Sequence, residues 1–107
     1  MSKKIQAILN TLKKGLTNIY GTQLKEVYLF GSYARGEANP LNSDIDVLIV
    51  LNGEFDYWEE SKRSSELIAS LSLQYDMVIS RKFASVMEYR HSKMPLYINI
   101  RKEGIAV

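Results

Sequence analysis

Residues 31–50 read GSYARGEANPLNSDIDVLIV, and the last part of that stretch decides the fold. In DIDVLIVL, 44–51, large apolar side chains fall on both faces from Ile45 onward, with Asp46 the exception. A run of this kind is a central strand covered on both sides. Burying a carboxylate beside Ile45, Val47, Leu48, Ile49 and Val50 costs free energy unless something pairs with it. The strand does not need Asp44 or Asp46 in order to fold, so the pair implies a second purpose.

Working outward, ANPLNS, 38–43, is a loop, because Asn39, Pro40, Asn42 and Ser43 disfavour regular structure. Before it, KEVYLF, 25–30, reads as a first strand ended by Gly31, and Ser32 to Arg35 can begin a short helix. Residues 4–20 read as a helix, with Ile5, Ile8, Leu9, Leu12, Leu16 and Ile19 at three- and four-residue spacing and Gly21 as the stop. After the central strand, Asn52-Gly53 is a turn and 57–73 a helix. YDMVIS, 75–80, is expected as the third strand, followed by short helices over 82–92 and from Pro95 to Gly104. The tail GIAV is free to pack back on the body.

The link between the second and third strands, about 23 residues with a helix inside, suits a right-handed crossover between parallel neighbours. The first strand must then run antiparallel to bring Gly31 to the same sheet end as the aspartates. The expectation is one α+β domain over 1–107, a small mixed sheet with helices packed on it.

Composition narrows the function. There is no cysteine, which excludes thiolate chemistry and disulfides, and a single histidine, His91, makes a histidine-based zinc site implausible. The start, MSKKIQAILN, lacks the apolar core of a signal peptide, and no apolar run is long enough to span a membrane, so a cytoplasmic location is expected. The net charge is +2, with the basic residues spread along the chain instead of gathered in a stripe, so nucleic acid is not expected as the main partner.

Residues i and i+2 of a strand share a face, so Asp44 and Asp46 lie about 7 Å apart along the backbone with oxygens able to converge. Asp76, at the start of the expected third strand, could reach the same point. Three carboxylates would repel one another unless one or two divalent cations joined them, and hard oxygen ligands favour magnesium or manganese. The alternative is a strand cap and ordinary edge charges. A calcium loop would space its ligands differently. Gly31-Ser32 supplies the other half: glycine lets backbone approach a ligand closely, and a helix start offers free N–H groups that suit phosphate. Carboxylate-held magnesium beside such a seat implies a nucleoside triphosphate, although no Walker A loop is present.

G31-S32-Y33-A34-R35-G36, then S43-D44-I45-D46, then Asp76 together resemble the nucleotidyltransferase superfamily of the DNA polymerase beta type, over roughly residues 5–80. The short chain is similar to the minimal nucleotidyltransferases, prokaryotic proteins often paired with a HEPN-domain ribonuclease toxin. The resemblance implies a polymerase beta-like core. Asp44 and Asp46 would hold two magnesium ions, with Asp76 joining at the catalytic one and orienting or deprotonating the attacking hydroxyl. Gly31 and Ser32 would cradle the β- and γ-phosphates of ATP. It also implies an antitoxin that transfers AMP to a tyrosine of its toxin.

Arg35 either touches phosphate or braces the loop through a carboxylate. Tyr57 and Trp58 are expected to dock their helix on the sheet more than to stack on a base. Lys62 and Arg63 read as a solvated helix face, His91 as an exposed helix residue, and Arg81 and Lys82 as lying past the third strand, away from the triphosphate. Met87, Leu96, Tyr97 and Ile100 serve either a partner contact or the core. Two other functions stay open: a small-molecule transferase of the aminoglycoside type, and a partner that neutralises by contact alone. Self-association also stays open.

Overall fold

Both faces of the central strand are covered, as its sequence demands. In the computed structural model, which describes residues 1–107, the chain runs α1 (Lys3–Tyr20), a 3-10 turn, β1 (Leu24–Phe30), α2 (Ser32–Arg35), β2 (Ile45–Leu51) and α3 (Tyr57–Tyr75). It continues through β3 (Ile79–Ser85), α4 (Val86–His91), α5 (Pro95–Glu103) and β4 (Ile105–Ala106). The sheet order is β3-β2-β1-β4. β1 runs antiparallel to β2 and β3 parallel to it, the crossover arrangement expected from the linker.

Alternation along β2 splits the core in two. Ile45, Val47, Ile49 and Leu51 join Val27, Leu29 and the apolar stripe of α1 in the larger cluster, which also takes Ile68 and Leu71 of α3. Leu48 and Val50 face the other way, onto Ala84, Tyr97 and Ile100, with Tyr28 and Phe30 against them. Tyr97 and Ile100 therefore finish the core, while Met87 remains two-thirds exposed. Asp46 is an even-numbered residue of β2 and shares the face of this smaller cluster.

Local chemistry sets the helix ends. Ser2 caps α1 through the Ile5 N–H, and Asp56 caps α3 through the Glu59 N–H. Ser85 and Glu88 form a reciprocal capping box on α4. Pro95 opens α5 and Gly104 closes it. The tail does pack back: Ile105 and Ala106 pair with Leu29 and Tyr28, and Lys13 Nζ donates to the Val107 carbonyl at 2.9 Å.

Three expectations change. The third strand is 79–85 and not 75–80, so Arg81 and Lys82 lie within it and the next helix starts at Val86. Trp58 is three-quarters exposed and does not dock α3, whereas Tyr57 meets Phe83 edge-on at 6.0 Å. Arg63 is not a free surface charge. It holds the buried Glu60 at 3.0 Å, donates to the Ile19 carbonyl at 2.9 Å and covers the Tyr20 ring at 4.8 Å, tying α3 to α1.

Candidate active site

β1 and β2 are antiparallel neighbours, so the end of one meets the start of the other. Phe30 pairs with Asp46 in register, which places Gly31 directly against the Asp46 carboxylate. A Cβ built on Gly31 would collide with Asp46 Oδ2. Gly31 also has φ 75° and ψ −156°, a conformation that is essentially glycine-only. The residue type is thus required twice, by the backbone bend and by the close approach.

From that bend α2 begins. Ala34 and Arg35 donate their N–H groups to the Gly31 carbonyl at 3.1 Å each. The earliest N–H groups of such a turn have no intrahelical acceptor. Gly36, at φ 72°, ends the turn and sends the chain into the loop. Asn39 organises that loop: its carbonyl accepts from Ser43 N at 2.8 Å, its side chain accepts from Leu41 N at 3.0 Å, and its own N–H reaches Ser43 Oγ at 2.9 Å. The loop delivers Asp44 just before β2, exposed, with Asp46 half-buried two residues on.

The electrostatics of the pair follow from this placement. Burial pushes the Asp46 carboxyl above its ordinary range, and the Asp44 charge pushes it further, while Arg35 and Lys82 pull it back. Two negative charges are held together with only partial compensation. Arg35 braces the loop: its Nε meets Glu37 Oε2 at 3.0 Å and its NH1 lies 3.8 Å from Glu103 Oε2 on α5. Its guanidinium pKa is raised, first by the Glu37 hydrogen bond and also by Asp46. Of the two sequence readings of Arg35, the carboxylate brace is the contact made.

Asp76 does not join the pair. It is the C-cap of α3, in the left-handed region at φ 53° and ψ 49°, a conformation aspartate tolerates better than most residues. The strand begins three residues later, and Val78 already accepts from Ile45 N at 2.9 Å. No group of three acidic or histidine side chains is gathered where it could hold a metal. What β3 brings to the aspartates is Ser80, in register with Asp46, with Ser80 Oγ 3.4 Å from Asp44 Oδ2. Lys82 follows on the same face. Sequence reasoning missed both. The signal was present in the alternation Ile79, Arg81, Phe83 against Ser80, Lys82, Ala84.

The donor set fits one hard divalent cation. Two carboxylates share a strand face, their mutual repulsion is only partly relieved, and the missing Cβ of Gly31 lets the backbone lie close against Asp46. A third carboxylate ligand is not offered. The site is an open ledge. The two largest concavities, about 490 and 500 Å³, lie near Asn52–Glu54 and Ser85, at the opposite end of β2. No helix is long and apolar enough to cross a membrane.

Comparison with known proteins identifies the family. Residues 9–105 match the family described as nucleotidyltransferase domain. A candidate protein adenylyltransferase of Methanocaldococcus jannaschii is 38% identical over 77 residues, covering 72% of this chain and 76% of the relative. The protein adenylyltransferase MntA of Thermococcus cleftensis is 32% identical over 83 residues, 78% of this chain and 81% of its own. Among solved structures, a chain from a toxin–antitoxin complex with AMP-PNP gives a TM-score of 0.60 at 25% identity, covering 91% of this chain and 69% of that one. A chain from the complex of tri-AMPylated Shewanella oneidensis HEPN toxin with MNT antitoxin gives 0.56 at 22% identity, covering 94% and 69%. The last of these is a likeness of fold.

Proposed function

The chain belongs to the nucleotidyltransferase domain family, and from that premise we propose that it transfers AMP from ATP to a tyrosine hydroxyl of a cognate HEPN-domain toxin, acting as the antitoxin. The observation that carries this reading is the seating of Gly31 against Asp46, which joins the start of α2 to a carboxylate pair on one ledge. Two relatives named as protein adenylyltransferases support the choice of AMP and of a protein acceptor. The neighbours in complex with toxin or with AMP-PNP support the choice of partner and nucleotide.

In this reading Asp44 and Asp46 hold a magnesium ion. When bound, the ion neutralises triphosphate charge and lowers the pKa of the attacking hydroxyl. The first N–H groups of α2 and the Ser32 hydroxyl receive phosphate oxygens. Arg35, fixed by Glu37 and Glu103, keeps the loop in place and adds positive potential beside Asp46. The tyrosine oxygen loses its proton to solvent and forms a bond to the α-phosphorus, the bond from that phosphorus to the α–β bridging oxygen breaks, and pyrophosphate leaves with that oxygen. The ledge is open enough for a protein side chain to approach, and the partner completes the pocket. Asp76, the left-handed cap of α3, is not gathered with the pair and is given no role in this reading.

The test is a labelling assay. The protein is purified with the product of the adjacent gene and given α-labelled ATP, CTP, GTP or UTP with magnesium. The expected result is label from ATP alone on the partner, abolished by EDTA and by Asp46→Asn. A tight complex that never takes label would instead point to neutralisation by contact.

A further inference from the structure

We infer that Lys82 is a triphosphate-binding residue on the β3 face that Ser80 turns toward the aspartates, and that the site holds one divalent ion and not two. This deepens the nucleotidyltransferase reading and rests on it.

The argument begins with register. In a parallel pair, residues opposite one another share a face, and β3 presents Ser80 opposite Asp46 and Lys82 opposite Leu48. Ser80 reaches Asp44 Oδ2 at 3.4 Å, which fixes the face of β3 that looks onto the aspartates. Lys82, two residues on, shares that face. The other face of β3 is spoken for: Ile79 and Phe83 enter the larger core, and Arg81 donates to the Ser61 carbonyl at 2.8 Å and to Ser65 Oγ at 3.2 Å on α3. The strand therefore offers the site a hydroxyl and an ammonium, and no carboxylate.

Charge balance makes the consequence specific. Two divalent ions need more than two carboxylates to share between them, and no third acidic side chain is gathered here. Here Asp44 and Asp46 carry two negative charges, and Lys82 lies on the β3 face that Ser80 turns toward them. Arg35 also acts on Asp46 but spends much of its charge on Glu37 and Glu103. A second divalent ion on the β3 side would have Ser80 as a neutral donor and Lys82 as a repelling neighbour. The ammonium of Lys82 is exposed and has no ion-pair partner in the protein, leaving its three donors for oxygens of the triphosphate. Its point charge then serves in place of the second ion.

The experiment counts ions. Manganese bound per chain is measured by electron paramagnetic resonance with saturating α,β-methylene-ATP, on wild type, Lys82→Met, Lys82→Asp and Asp46→Asn. Wild type should bind one manganese with the nucleotide. Lys82→Met should keep that ion but weaken nucleotide affinity about 10- to 100-fold, the loss expected for a charged hydrogen bond. Lys82→Asp, which restores a third carboxylate, should bind a second manganese. Two ions in wild type, or unchanged nucleotide affinity in Lys82→Met, would overturn the role of Lys82 while leaving the transferase reading intact. Manganese–nucleotide binding that is absent in wild type, or unaffected by Asp46→Asn, would overturn both. Circular dichroism of each variant separates these outcomes from unfolding, and Lys82 lies at an exposed edge where substitution is tolerated.

Discussion

Replacing Gly31 by alanine tests the central geometric claim, and Gly53 provides its control. Both glycines have positive φ, 75° and 78°. Around Gly53 an added Cβ meets nothing within 4 Å, whereas at Gly31 it runs into Asp46, with Cγ only 3.3 Å away. Gly53→Ala should cost about 1–2 kcal/mol of stability from backbone strain alone. Gly31→Ala should cost about 1–3 kcal/mol, because its φ/ψ combination is rarer still. For a domain of this size that corresponds to a fall in Tm of roughly 5–15 °C. The variants part company in function. To admit the Cβ, the Asp46 carboxylate must move on the order of 1 Å, and a displacement of that size costs about 100-fold in rate. The assay is metal-dependent AMP transfer, run at a temperature where melting curves show each variant fully folded. Gly53→Ala should retain wild-type activity and Gly31→Ala should lose about two orders of magnitude. Equal activity in the two variants would refute the assignment of the Gly31–Asp46 contact to the chemistry.

Other outcomes follow from the same structure. Because burial and Asp44 raise the Asp46 pKa, the folded state holds that proton more tightly than the unfolded chain, so this carboxylate weakens stability as pH rises through its folded pKa. In metal-free buffer at pH 7, Asp46→Asn should therefore be at least as stable as wild type; the difference should vanish below the unfolded pKa, as melts across pH 3–8 would show. Arg63→Ala leaves the Glu60 carboxylate, 4% exposed, without its partner and should cost about 2–3 kcal/mol in urea unfolding while activity per folded molecule is kept. Deleting residues 105–107 removes the β4 pairing and the Lys13 anchor, exposes the edge of β1 and should lower Tm by several degrees, with concentration-dependent association by light scattering as the sign of the bared edge.

Those residues that act through one dominant force were legible in the sequence. The β2 run could be nothing but a doubly covered strand, and the stripe of α1 and its glycine stop were equally direct. The strand directions followed from linker length. The i,i+2 spacing placed Asp44 and Asp46 on one face without knowledge of the rest of the sheet. β3 was read wrongly because it is an edge strand. Such a strand tolerates charge, and Arg81 hides its stem over α3 while bonding backbone, so the apolar YDMVIS looked more strand-like than ISRKFAS. Asp76 was put on a strand by the same slip, four residues at the strand start, and its real signal was that of a residue able to sit at positive φ after a helix. Trp58 shows the opposite error: a large aromatic side chain that sequence assigns to the core is left at the surface.

The antiparallel pairing of β1 with β2 has a kinetic meaning as well. Gly31 and Asp46 are brought together across a loop of 14 intervening residues, whereas Ser80 and Lys82 arrive only once the crossover through α3 has closed. Short-range closure is entropically cheap and fast, and parallel pairing across a long excursion is slow. The carboxylate half of the ledge is thus a local hairpin product, and the ammonium half is a late arrival. During refolding, amide protons of β1 and β2 should gain protection before those of β3, and a chain stalled between the two stages would carry the acid pair and Arg35 without Lys82 beside them.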